Sequence, residues 1–115
     1  MVCVKVAVDP EGCLRSVAAA GHAGEGRAGE DLSCAAVSSL LRSVARLLYR
    51  SEGLQVAGEA ARPGELTLEV LGSSAGRRQW LRGVTDVLLA GLSDLRDERP
   101  GSIGLEVKAV GEEEH

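Results

Sequence analysis

The apolar residues of this chain switch period again and again, and that switching limits the folds open to it. Val2, Val4, Val6 and Val8 alternate with other residues, the pattern of a strand with one buried face. Asp9-Pro10-Glu11-Gly12 follows, turn chemistry in which proline fixes φ and glycine supplies a positive one. Residues 13–20 read as a second, weaker strand, closing a hairpin near Gly21-His22. The spacing then becomes helical. Val37, Leu41, Val44 and Leu48 form one stripe, widened by Leu40 and Leu47. This helix is predicted over about Leu32–Tyr49, stopping before Gly53, with Asp31 as N-cap because its carboxylate can accept from the unpaired N–H groups of a first turn. Strand spacing returns in Leu54–Ala57 and Leu66–Val70, on either side of a Pro63-Gly64 turn. A second helical stripe over residues 76–97 carries Leu81, Val84, Leu88, Leu92 and Leu95; Pro100-Gly101 ends it, and Ile103, Leu105 and Val107 make a last strand.

The order is therefore ββαββαβ. Two amphipathic helices each need a surface to cover, and five one-sided strands supply it. An α+β fold, a mixed five-stranded sheet with both helices packed on one face, satisfies both demands. A length of 115 residues suits one domain with a single core. That domain is expected over residues 1–111, with the acidic tail Glu112–His115 disordered.

Composition removes several classes of function. The net charge is −4, with one Trp, one Tyr and no Phe, and the basic residues are scattered, which argues against direct nucleic-acid binding. No apolar run exceeds three or four residues, so no membrane span is expected. The first residues enter the fold directly, without a leader pattern, which points to the cytoplasm. Cys3, Cys13 and Cys34 are an odd number with no C-x-x-C pair, so neither a disulfide framework nor a cysteine-rich zinc site is expected, and no metal or cofactor is assigned.

The stretch GHAGEGRAGEDLSC, residues 21–34, carries the chemistry. Gly24, Gly26 and Gly29 are formally G-x-G-x-x-G, but Glu25, Glu30 and Asp31 crowd the same segment and would repel a phosphate, and no Gly-Lys-Ser/Thr follows. The other reading pairs His22 with Cys34. Under an Asp31 cap, Cys34 stands at about the third helical position, where the field of the helix start favours thiolate and first-turn N–H groups face a developing oxyanion. His22 at the strand end would be the base. The glycines would give the loop freedom to close over a peptide, and its acidic residues would either favour a basic substrate or simply be solvated. Cys34 is also in register with Val37, Leu41 and Val44, so a small core residue explains it too. Cys3 and Cys13, in strands with no partner nearby, fit that structural role.

The string Gly21-His22-Ala23, a Gly-rich loop, then Gly29, Asp31, Cys34, Ala35, Ala36, Val37 and Ser38 resembles the motif of the ribosomal-processing cysteine protease family, called Prp. The length, element order and second-helix end resemble it as well. One position departs: Ser33 stands where the family usually has an aliphatic residue. The resemblance implies a cytoplasmic, homodimeric cysteine endopeptidase without cofactor, which removes the N-terminal extension of a large-subunit ribosomal protein. It implies Cys34 as nucleophile and His22 as general base and acid, with Asp31 and Ser38 in support. Asp31 would cap the helix or orient the imidazole, as the third member of a triad does. The alternative is a non-enzymatic, dimeric ribosome-associated protein with a buried Cys34.

Overall fold

The computed structural model of the chain describes residues 1–21, 28–60 and 65–111; for residues 28–31 it describes the backbone. The elements are β1 (Val2–Val8), β2 (Leu14–Gly21), α1 (Ala28–Tyr49), β3 (Leu54–Glu59), β4 (Glu65–Ser73), a 3₁₀ turn (Ala75–Arg77), α2 (Arg78–Glu98) and β5 (Ile103–Ala109). The strands form one mixed sheet of five in the order β3-β4-β2-β1-β5. β1 pairs antiparallel with β2 and parallel with β5, while β4 pairs antiparallel with both β2 and β3. The α+β reading of the sequence holds, with the element order ββαββαβ.

Register follows from the period of two. Val2, Val4 and Val6 turn to the face shared with Val17, Ala19, Leu68, Val70 and Ile103, and all of them are buried. The helices cover this face. Val37, Leu41, Val44 and Leu48 come from α1, and Leu81, Leu88 and Leu92 from α2, into the same core. Each such aliphatic side chain, fully buried, contributes about 1.5–3 kcal/mol. The helices run antiparallel: Ser33 of α1 meets Arg99 just past α2, and a Cβ on Gly91 would lie 2.9 Å from Leu40. Glycine at that position lets α1 approach α2 closely. The opposite sheet face stays open and carries Cys3, Lys5, Ala18, Ala20 and Thr67, all exposed.

Two expectations are corrected. Helix α1 begins at Ala28 rather than Leu32, so Gly29 and Asp31 belong to the helix and Asp31 is not its N-cap. Nothing apolar marks residues 28–31, and the core stripe that signals a helix starts only at Val37; acidic residues at a helix start are nonetheless favoured by the macrodipole. α1 is also long and apolar enough, over Leu32–Tyr49 with mean hydropathy 1.2, to match a membrane span by length and composition. Its five Leu, two Val and three Ala raise that mean without any long apolar run, and its stripe Val37, Leu41, Val44 and Leu48 is buried in the protein core. Finally, Cys13 lies just before β2 rather than in it. The Pro63-Gly64 turn and the acidic tail Glu112–His115 lie outside the described residues.

The Asp9–Gly12 turn forms as read, with Gly12 at φ 85°. Asp9 is 5% exposed, and its carboxylate accepts from the N–H groups of Glu11 (2.9 Å) and Cys13 (3.0 Å) and from the Arg78 guanidinium. Arg78 also donates to Glu11 at 2.6 Å. Burial pushes the Asp9 carboxyl up, but the hydrogen bonds from Arg78, Cys13 and Glu11 outweigh it and hold the group below its usual value. The pair fastens the first hairpin to the start of α2. Thr85 fastens β2 to the same helix: its hydroxyl donates to Leu81 O at 2.7 Å and accepts from Leu14 N–H at 2.9 Å.

Candidate active site

Cys34 lies in the second turn of α1, half-buried and packed against the core. This placement changes part of the chemistry read from the sequence. In an α-helix each N–H from the fifth residue on donates to the carbonyl four residues back. From Leu32 onward the amides are thus engaged within α1, and they are not the free first-turn donors the sequence reading gave to an oxyanion. The field of a helix end also falls off within its first turn. Cys34 therefore owes its setting to its neighbours rather than to the helix terminus.

Those neighbours are specific. Ser33 is fully buried, and Arg99 Nε donates to its hydroxyl at 2.8 Å. A buried hydroxyl needs a partner, and here the guanidinium supplies it. Ser38, one turn beyond Cys34, is half-buried beside Ala35, Ser39 and Arg42 in a shallow polar depression. Ala35 is exposed and Ala36 half-buried, so the surface around the thiol is made of small side chains.

On the sheet side, β2 ends at Gly21, the residue before His22. Gly21 pairs with Val2 across the hairpin, and a Cβ built on it would lie 3.1 Å from Val2 Cγ2 and 3.3 Å from Val2 Cα. Glycine fits this close backbone approach better than any residue with a side chain. His22, Gly24 and Gly26 lie outside the described residues. Gly29 and Asp31 are placed in α1, and Cys34 and Ser38 share one face of it.

Cys3 and Cys13 differ from Cys34. Cys3 is exposed on the open sheet face, and Cys13 is buried, its Sγ donating to Arg78 O at 3.3 Å. Burial pushes the Cys13 thiol up. Among the described residues no three His, Cys, Asp or Glu side chains gather where a metal could sit. An apolar groove of about 530 Å³ between the helices, lined by Leu40, Val44, Leu47, Trp80, Val84 and Val87, lies toward the end of α1 away from Cys34. Sequence reasoning missed Arg99. The one hint was Ser33 itself, a polar residue where the motif expects an aliphatic one.

A single-sheet α+β domain thus presents a half-buried cysteine near the start of its first helix, the kind of side chain that serves as a nucleophile in thiol hydrolases. Residues 1–104 match the family model of the cysteine protease Prp, and the chain belongs to that family. The fold is similar to that of SMU.848 from Streptococcus mutans, at 24% identity and a TM-score of 0.76, with 96% of each chain covered. It is also similar to the essential ribosomal processing protease Prp from S. aureus in complex with a substrate peptide: 21% identity, TM-score 0.77, 94% of this chain and 100% of that one. The same S. aureus protease with a covalently linked product peptide aligns at 21% identity over the same shares, with a TM-score of 0.74. No curated protein matches the chain.

Proposed function

We propose that this cysteine protease is an endopeptidase that removes the N-terminal extension of a large-subunit ribosomal protein, acting in the cytoplasm as a homodimer. The observation that carries the reading is the family match over residues 1–104, which brackets the Gly21–Ser38 motif and its half-accessible Cys34. The S. aureus relatives with substrate and product peptides support a peptide as the substrate. In this reading the Cys34 thiolate attacks the scissile carbonyl carbon to give a tetrahedral oxyanion. His22 protonates the departing amine, leaving a thioester on Cys34. Water, deprotonated by His22, then attacks the thioester and frees both the acid product and the thiol.

The test is mass spectrometry of the host's ribosomal protein, and of a peptide spanning its extension, before and after incubation with the full chain. Cleavage at one bond is expected, lost in Cys34→Ala and reduced by orders of magnitude in His22→Ala. Intact substrate with wild-type chain would sink the reading. The rival, a non-enzymatic dimer, requires a buried Cys34, whereas Cys34 is half-buried; alkylation tests the point, since rapid reaction of Cys34 at neutral pH, dependent on His22, belongs to the protease alone.

A further inference from the structure

The turn that follows α2 touches both segments on which the proposed chemistry depends. At its start, Arg99 reaches across to the buried Ser33, the residue before Cys34. Its carbonyl accepts from Ser102 N–H at 3.1 Å, and Ser102 O in turn accepts from Val2 N–H at 2.9 Å. Val2 is the strand partner of Gly21, the residue before His22. Gly101, at φ 86°, gives the turn a left-handed bend that other residues rarely adopt. A short path of hydrogen bonds thus runs from the Cys34 segment through one turn to Val2, which lies opposite Gly21 at the end of β2.

We infer that Arg99 is a positioning residue for Cys34: its bond to Ser33 fixes the rotation and axial height of α1 at the nucleophile, relative to the strand end that leads into His22. The geometry is suited to this. Ser33 and Cys34 are adjacent on one helix, so holding the Ser33 hydroxyl in place leaves the Cys34 Cα–Cβ direction little freedom. A guanidinium has fixed donor directions, and an aliphatic residue at position 33 would offer it nothing to hold. At that position this protein has a directed hydrogen bond from the end of the second helix. The inference rests on the protease reading, and its test separates the two.

The experiment uses the full chain as Arg99→Ala, Arg99→Lys, Ser33→Ala and the double variant. It measures kcat and KM on the ribosomal extension peptide at a temperature where melting curves show each protein folded. The iodoacetamide reaction of Cys34 is followed across pH 5–10, with Cys3 as internal control. Arg99→Ala is expected to lower kcat about tenfold with KM within about twofold, since small misplacements of a nucleophile act on the chemical step. Arg99→Lys, which keeps a donor but lacks its fixed directions, should recover only part of this loss. Ser33→Ala should also lower kcat, and the loss in the double variant should be smaller than the product of the two single losses, because both variants remove the same Arg99–Ser33 bond. The pH profile of Cys34 alkylation should change in Arg99→Ala while that of Cys3 does not. Wild-type kcat and an unchanged Cys34 profile in Arg99→Ala, or losses that multiply in the double variant, would overturn the inference. If the wild-type chain cleaves nothing, the protease reading fails, and the alkylation profiles still decide whether Arg99 governs Cys34.

Discussion

An arginine stands at each end of α2, and the two hold different things. Arg78, at the start, ion-pairs with the buried Asp9 and the exposed Glu11. Arg99, just past the end and about 30 Å away along the axis, donates to the neutral hydroxyl of Ser33. The first contact is charged on both sides, and its carboxylate accepts from three donors, so losing it strands a buried polar group. The second contact is a hydrogen bond to a hydroxyl, and such a bond is of modest worth to stability. The first stands at the end of the helix pair away from the thiol, the second one residue from it. With Arg99 in its proposed role, fold stability and thiol placement sit at opposite ends of one helix and answer to different measurements.

The largest effect should come at the Arg99 end and appear only in activity. Cys34→Ala is expected to lower peptide cleavage by at least about a thousandfold and to change denaturant stability by about 1 kcal/mol or less. A loss of activity that tracks unfolding would erase the contrast between the ends. Next comes thiol reactivity. In the native protein Cys13, buried at the Arg78 end with its thiol pushed up, should alkylate roughly a hundredfold more slowly than exposed Cys3. Peptide mapping after a timed pulse measures both, and equal rates would mean that the Arg78 end opens readily.

Asp9→Asn tests that end directly. It should lower stability by about 2–3 kcal/mol while leaving kcat near wild type below the melting range. The pH dependence has a defined sign. Asp9 is held below its usual value of 3.8, so its contribution is fully present above that pH and is lost as pH falls through the lower, folded value. Wild-type stability should drop in that acid window, and the variant's should drop less; identical acid profiles would remove Asp9 from the account. The smallest effect belongs to the middle of the helix. Gly83 is exposed in α2, and a Cβ there would meet nothing within 4 Å. Gly83→Ala should stabilise by about 0.5–1 kcal/mol. It should leave cleavage unchanged, which would confirm that helix stability as such does not set the rate.

Much of this architecture was legible because burial imposes a period. Val2, Val4 and Val6 announced β1, and the stripes Val37–Leu48 and Leu81–Leu92 announced the helices. What lacked a period was misplaced. Residues 28–31 enter α1 ahead of its core stripe, so periodicity alone starts the helix late and makes Asp31 look like its cap. Thr85 interrupts an apolar stripe, yet it is buried because its hydroxyl satisfies both Leu81 and Leu14. In the candidate site, Cys34 and the motif around it could be read directly, since they are contiguous. Arg99 could not, because it meets Ser33 from 66 positions away and no local pattern records such a contact. Arg78 and Asp9, 69 positions apart, escaped for the same reason.

The parallel pairing of β1 with β5 sets the order in which a newborn chain can become whole. β1 finds β2 at once, through a four-residue turn, but its other edge waits for Ile103–Ala109. At synthesis rates of about 5–20 residues per second, the wait is roughly 5–20 seconds on the ribosome. Arg99 and Ser102 emerge just ahead of β5, so the turn joining the Cys34 segment to β1 closes among the last contacts made. A chain still being translated therefore lacks the Arg99–Ser33 contact beside Cys34 until almost all of it has been synthesised.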